Sequence, residues 1–438
     1  MIAWRSLCCA AIALTISCGD FTKVTNTGVI EPDATNSAVG AAAWYVGATR
    51  QFVNASLSAI QYSGIVSDEL IDANAIGSLH WSYLDSRRTL PPTHALLVAE
   101  FSTLSSALVG QRFALAQLQQ FAPTPGSRLG QMYAYQGYLE LYLAEHLCSG
   151  VPISTVDFDG TVTYGSGTST TEIFDRAIAH FDSAIAVTPD SQRVINLARL
   201  GKARALLGKG DFANAATTAA AIPTSFVYNL DINSAVAGLT NSLYNAISVS
   251  RSMGIAPAGD GTNGINWVGA NDRRVPTTLL GNGTDGSTVI YAYGGFTGLG
   301  SAVRVASGLE ARLIEAEAAL QANNNDAATT GSGWLGILNN LRATAIAPAL
   351  SPLADPGNYP ARVNLLFREK AFWLFLNGTR MGDLRRLVRQ YGRAENTVFP
   401  SGTYARDGQP YGTEVTLVPT PAESVNNPKY SGCFDKNA

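Results

Sequence analysis

Apolar residues recur at helical spacing through much of the chain. In TEIFDRAIAHFDSAIAVTP (171–189), Ile173, Phe174, Ala177, Ile178, Phe181, Ala184 and Ile185 share one face. Ser169 and Glu172, three apart, form a capping-box pattern at its start, and Pro189 stops it. The next stretch, NLARLGKARALLGKGDFANAATTAAAIP (196–223), carries Leu197, Leu200, Arg204 and Leu207 into a Gly208–Gly210 turn, then a second, Ala-rich helix. Helix, short glycine turn, helix with small residues at the contact is the pattern of a tetratricopeptide-type pair, although any helical stack shares the period. LEARLIEAEAALQANNN followed by WLGILNNLRATA has the same design, and FSTLSSALVGQRFALAQLQQF and QMYAYQGYLELYLAEHL add two earlier helices. The expected fold is mainly α, a tetratricopeptide-like helical-hairpin scaffold with a loop-rich, minor-β region that faces the ligand.

That region is the part without helical period. Residues 223–306 are rich in Gly, Asn and Thr with short β-branched stretches, which suits long loops and small strands. A second loop-rich insert, about 345–360, holds Pro348, Pro352, Pro356 and Pro360. The expected division is a signal peptide at 1–17, a polar tether at 18–36, and one domain at 37–438. Within it the helical scaffold takes 37–222 and 307–398, the loop-rich insert 223–306, and a C-terminal irregular or strand element 399–438.

The stretch FREKAFWLFLNGTRMGDLRRL (367–387) sets charges densely beside aromatic residues. Leu384, Leu387, Val388 and Tyr391 recur at i, i+3, i+4 and i+7, so it ends in an amphipathic helix. Asn377-Gly378 breaks the helix before it. Arg380, Asp383 and Arg386 lie three apart on a neighbouring stripe, where unlike charges can pair. Glu369 on the first helix is expected to face an arginine on the second, making a polar joint of ion pairs.

Composition narrows the function. Charged residues are 14% of the 438, below the roughly 25% of soluble domains, and the formal net charge is −3. There is no basic run to match a phosphate backbone, so nucleic acid is not an expected partner. At the N-terminus MIAWR and the ten-residue apolar LCCAAIALTI read as an export signal too short to span a bilayer. SCGD follows and resembles a bacterial lipoprotein box, which implies cleavage before Cys18 and acylation of its thiol; Leu14 stands one position further from Cys18 than usual. The alternative is an ordinary cleaved signal with an incidental cysteine. Cleavage there removes Cys8 and Cys9 and leaves Cys148 and Cys433, which in an exported chain either pair or stand as separate thiols.

Catalytic signatures are sparse. Gly259–Gly264 and Gly281–Gly286 fit G-x-G-x-x-G but lack the strand before and helix after that dinucleotide binding needs, and read as turns. VDFDG (Asp157, Asp159) supplies too few ordered oxygens for a calcium loop, and its aspartates suit a turn. His80, His94, His146 and His180 are scattered, with no metal-ligand spacing and no G-x-S-x-G elbow. No cofactor, metal or catalytic residue is assigned. Aromatic residues in polar loops are the better candidates, since sugars and peptides offer apolar faces with hydroxyl or amide edges. Trp81, Tyr83 and Arg87 in GSLHWSYLDSRR, Trp267 after an Asn-rich turn, Asp272, and Tyr291 with Tyr293 beside glycines are the expected ligand contacts. For each ring the competing expectation is core packing.

The joint resembles the C-terminal signature of the SusD/RagB-like nutrient-binding outer-membrane lipoproteins. Arg368 or Glu369 opens it, and Gly378, Arg380, Asp383, Leu384 and Arg386 close it, with Asn377 where an acidic residue is common. Other elements follow in the family's order: CGDFTKV as anchor and tether, YLELYLAEHLCSGVPIS, NDRRVPTTLL, RLIEAEAAL and LVPTPAESVNNP. The resemblance implies a structural role for Glu369, Arg380, Asp383 and Arg386. It further implies a lipid-anchored protein on the outer membrane that captures glycans or peptides and delivers them to a SusC-like TonB-dependent transporter, without covalent chemistry. Two other classes remain open, a tetratricopeptide-type scaffold for protein partners and a glycan-active hydrolase with a carboxylate pair facing a cleft.

Overall fold

The computed structural model describes residues 35–75, 79–95, 98–236, 238–322 and 333–437. The expected signal peptide, Cys18 and most of the tether lie outside them. Eleven helices carry the argument: α1 (Ala38–Val66), α2 (Leu79–Asp85), α3 (Glu100–Phe121), α4 (Gly126–His146), α5 (Thr170–Val187), α6 (Gln192–Gly208), α7 (Phe212–Ala220), α8 (Gly308–Ala322), α9 (Trp334–Thr344), α10 (Tyr359–Trp373) and α11 (Arg380–Arg389). The fold is mainly α, and its strands form two-stranded sheets.

Local chemistry sets the ends of these helices. The Ser169 hydroxyl accepts from the Glu172 amide at 3.3 Å and the Glu172 carboxylate accepts from the Ser169 amide at 2.8 Å, the reciprocal capping box that starts α5. Gly210, at φ +81°, makes the left-handed turn between α6 and α7, and Asp211 caps α7. Consecutive helices from α3 to α8 pack against one another, while α1 lies on α3 and α4. The packing of α5 depends on glycines. A Cβ built on Gly137 of α4 or Gly201 of α6 would stand 2.6 or 2.2 Å from the Phe181 ring, and one on Gly208 would stand 2.4 Å from Phe174. Both rings are buried, each contributing about 2–3 kcal/mol of apolar burial that needs those gaps.

Between α7 and α8 the chain is irregular. Val227–Asn229 pairs antiparallel with Arg304–Ser307, Met253–Gly254 pairs with Ile71–Asp72, and Thr277–Asn282 forms a hairpin with Val289–Tyr293. The C-terminal segment returns to α4, where Cys148 and Cys433 form a disulfide with Cα atoms 5.8 Å apart.

The charged stretch is a joint between α10 and α11. Leu376 (φ +52°) and Gly378 (φ +72°) turn the chain between them. The expected pairing within the stretch needs correction. Glu369 does not face α11: it accepts from Arg274 (2.7 and 3.1 Å) in the loop-rich region and from Arg342 (2.8 Å) on α9. Arg380 reaches Asp68, just beyond α1, at 2.6 and 2.8 Å. Asp383 accepts from Lys370 at 2.7 Å and lies 3.4 Å from Arg386, while Lys370 also donates to Glu317 at 2.9 Å. Burial alone would raise the Asp383 carboxyl; Lys370 and Arg386 outweigh it and hold it below the usual carboxylate range. Outside the stretch itself the partners come from four places in the chain, Asp68, Arg274, Glu317 and Arg342, because each charge in this buried joint needs an opposite charge, whatever its sequence distance.

Candidate functional site

A cleft of about 370 Å³ opens where four distant segments meet. Asp72 and α2 with Asp85 form one wall. Ala256–Asp260 and the hairpin tip Ser287–Val289 come from the loop-rich region, and Tyr404–Arg406 from the C-terminal segment. Its size falls in the range of small-molecule sites. Arg406 organises the polar rim: it donates to Asp72, to the Ser82 hydroxyl (2.7 Å) and to the Asn74 carbonyl, and lies 3.3 Å from Asp285. Asp285 in turn accepts from the Thr288 amide at 2.9 Å and from the Thr288 hydroxyl, fixing the hairpin tip against the cleft.

Beneath the rim two carboxyls meet. Asp85 Oδ2 accepts from the Asp72 amide and the Tyr404 hydroxyl, each at 2.7 Å, and Asp260 Oδ1 accepts from the Tyr411 hydroxyl. Their other oxygens, Asp85 Oδ1 and Asp260 Oδ2, are buried without a hydrogen-bond partner. Burial, then the Asp260 charge, raises Asp85 well above the carboxylate range. Burial likewise raises Asp260 to about 7, against the Tyr411 bond that lowers it.

This pairing has a stability consequence. A carboxyl raised in the folded state binds more protons there than in the unfolded chain between pH about 4 and about 7, so stability falls as pH rises through that window. Glu69 and Glu310, raised by burial to about 8 and about 7, act with the same sign. The Asp260→Asn variant removes one group of this set, and its amide can donate to Asp85. Its melting temperature should drop less than that of the parent between pH 5 and pH 8. Identical drops would refute the raised Asp260 carboxyl.

The residues expected from sequence do not gather at this cleft. Trp81 and Tyr83 lie on α2 beside it, both half-buried: Trp81 packs on Tyr62 and His80, and Tyr83 lines a neighbouring cavity of about 90 Å³ with Arg87. Arg87 is 1% exposed, donates to the Pro400 and Glu414 carbonyls, and pairs with Glu395, so it ties the C-terminal segment to α2 and offers nothing to a solute. Trp267, also 1% exposed, packs on Phe372 and Phe375 and donates to the Asp68 carbonyl at 2.6 Å; it is a core ring, not an exposed platform. Asp272 is held by Arg274 at 2.7 Å and belongs to the charged joint. Tyr291 pairs with Leu279 in the hairpin and Tyr293 packs on Phe296 and Phe375, both half-buried. Asp72, Asp260, Thr288 and Arg406 were missed. Asp260 sits in the first G-x-G-x-x-G turn, and no local signal ties it to the other three. Among the described residues no cluster of His, Cys, Asp or Glu is set to hold a metal ion, and no helix is long and apolar enough to cross a membrane.

No protein-family model and no curated protein matches the chain. Solved structures do. A SusD superfamily protein from Bacteroides vulgatus superposes with a TM-score of 0.68 at 13% identity, over 91% of this chain and 99% of that one. The fold is SusD-like. A SusD-like carbohydrate binding protein from Bacteroides vulgatus matches at TM-score 0.62 and 12% identity, over 90% of this chain and 97% of its own. B. fragilis NanU matches at 0.60 and 12%, over 92% and 99%. In the SusD-like architecture of this chain, the cleft lies where the loop-rich region meets α2 and the C-terminal segment, away from the α3–α7 stack.

Proposed function

We propose that this protein is a nutrient-binding lipoprotein of the SusD/RagB-like family, anchored through Cys18 to the outer membrane, which captures a glycan in the carboxyl-lined cleft and passes it to a SusC-like TonB-dependent transporter. The observation that carries the reading is the cleft itself: hydroxyl, guanidinium and carboxyl groups converge on it, matching the hydroxyl edges of a sugar. The description of one structural relative as carbohydrate binding supports the choice of glycan over peptide. Tyr404 lines the cleft itself, and Trp81 and Tyr83 on α2 are candidates to extend the contact beyond it. Capture then proceeds by hydrogen bonding and stacking, with no bond made or broken.

The carboxyl pair favours a second reading, hydrolysis of the glycan. Glycosidases that retain configuration hold their carboxyls roughly 5 Å apart, and inverting ones further. Asp85 and Asp260 are 0% and 4% exposed and already accept from the Tyr404 and Tyr411 hydroxyls, so neither stands open to flank a sugar bond, and binding is the better reading.

Calorimetry with a panel of soluble oligosaccharides tests it. At least one should bind saturably, and Arg406→Gln should weaken that binding tenfold or more, about 1.4 kcal/mol. Absence of binding across the panel, or release of shortened products, would overturn the proposal. Recovery of a barrel-sized membrane partner with the native lipoprotein checks the delivery step.

A further inference from the structure

On the helical scaffold, remote in sequence from the carboxyl-lined cleft, lies a second groove of about 360 Å³. α3 supplies Arg112 and Phe113, α4 supplies Tyr133 and Gln136, and the short hairpin Thr155–Thr163 supplies Asp157 and Phe158. The Phe158 and Phe113 rings stack at 4.3 Å, with Trp44 of α1 edge-on to both. Phe158 is nonetheless 55% exposed, which leaves one ring face open to solvent.

The charges around these rings are of two kinds. Glu140, buried, accepts from Arg176 at 3.1 Å and bonds His180 at 2.6 Å, so that set is internally satisfied. Arg112 and Asp157 are not. Among the described residues neither side chain has a hydrogen-bond or ion-pair partner, and although they line one groove they do not reach each other. Arg112 also borders an adjoining cavity of about 110 Å³, so the guanidinium stands at the meeting of two open volumes. A half-buried cation gains most from a carboxylate that presents two oxygens to its fork.

We infer that this groove is a second binding site, for a zwitterion with an apolar side chain. Arg112 takes the carboxylate, Asp157 takes the ammonium, and the open face of Phe158 covers the side chain. A free amino acid and a short peptide carry those end groups at different separations, so ligand length reads the spacing of the two charges. The inference is independent of which glycan the first cleft takes.

The test is calorimetry on the mature chain with phenylalanine, Phe-Phe and Phe-Ala-Phe. At least one should bind saturably, and its N-acetyl and C-terminal amide forms should bind tenfold or more weakly. Arg112→Gln should lower affinity for the parent ligand to that of the amide, and Asp157→Asn to that of the N-acetyl form, without changing oligosaccharide binding. No saturable binding by any of the three, or blocked forms that bind as well as the parent, would overturn the inference. The blocked ligands need only the unaltered protein, so a poorly folding variant does not spoil the outcome.

Discussion

Replacing Glu317 with alanine is expected to lower the free energy of unfolding by about 3–5 kcal/mol, the cost of stranding buried charge. Glu317 is fully buried on α8 and accepts from Lys370 at 2.9 Å, from Arg386, and from the Tyr391 hydroxyl at 2.6 Å. After its removal Lys370 and Arg386 have only Asp383 between them, two buried positive charges on one buried carboxylate. A surface pair such as Lys202–Asp182 is worth no more than about 1 kcal/mol, so its disruption is the control. Denaturant unfolding measures both. The double variant Glu317→Ala with Lys370→Met should recover part of the loss, because it removes one of the stranded charges. A loss below about 1 kcal/mol for Glu317→Ala would show that the joint is solvated and does not lock the helices.

Trp267→Ala should be as damaging, for a different reason. Truncating a buried tryptophan costs about 3–5 kcal/mol through lost burial and the cavity left behind. Here it also leaves the Asp68 carbonyl without the indole N–H, beside the carboxylate that holds Arg380. The ring does not line the carboxyl-lined cleft. The variant should therefore melt well below the parent yet bind oligosaccharide with unchanged affinity wherever it remains folded. Lost affinity at unchanged stability would restore Trp267 as a ligand contact and would contradict its packing.

The two variants show which parts of the molecule were legible in advance. Helices α5 to α7 are readable because their determinants are local. The Ser169–Glu172 box, Pro189, the Gly208–Gly210 turn and the 3.6-residue apolar period all act within a few residues. The break at Asn377-Gly378 is readable for the same reason. The core position of Trp267 is not legible because its surroundings in sequence are polar. What covers it is Phe372 and Phe375, about a hundred positions away. Nor is the burial of Arg87 legible, since a charged residue beside Trp81 and Tyr83 looks like surface until Glu395 and the Pro400 carbonyl close over it.

By itself, then, the sequence determined a mainly helical chain, the positions of its helix ends and turns, and a charged joint between α10 and α11. Each follows from periodicity, capping and backbone restriction over short distances. Only the tertiary structure decided who pairs with whom: Glu369 with Arg274 and Arg342, Arg380 with Asp68, Cys148 with Cys433. It alone brought Asp72, Asp85, Asp260 and Arg406 to one cleft. Such pairings depend on desolvation, which leaves each buried charge or polar atom to find a partner wherever packing supplies one. No window of local sequence records that choice.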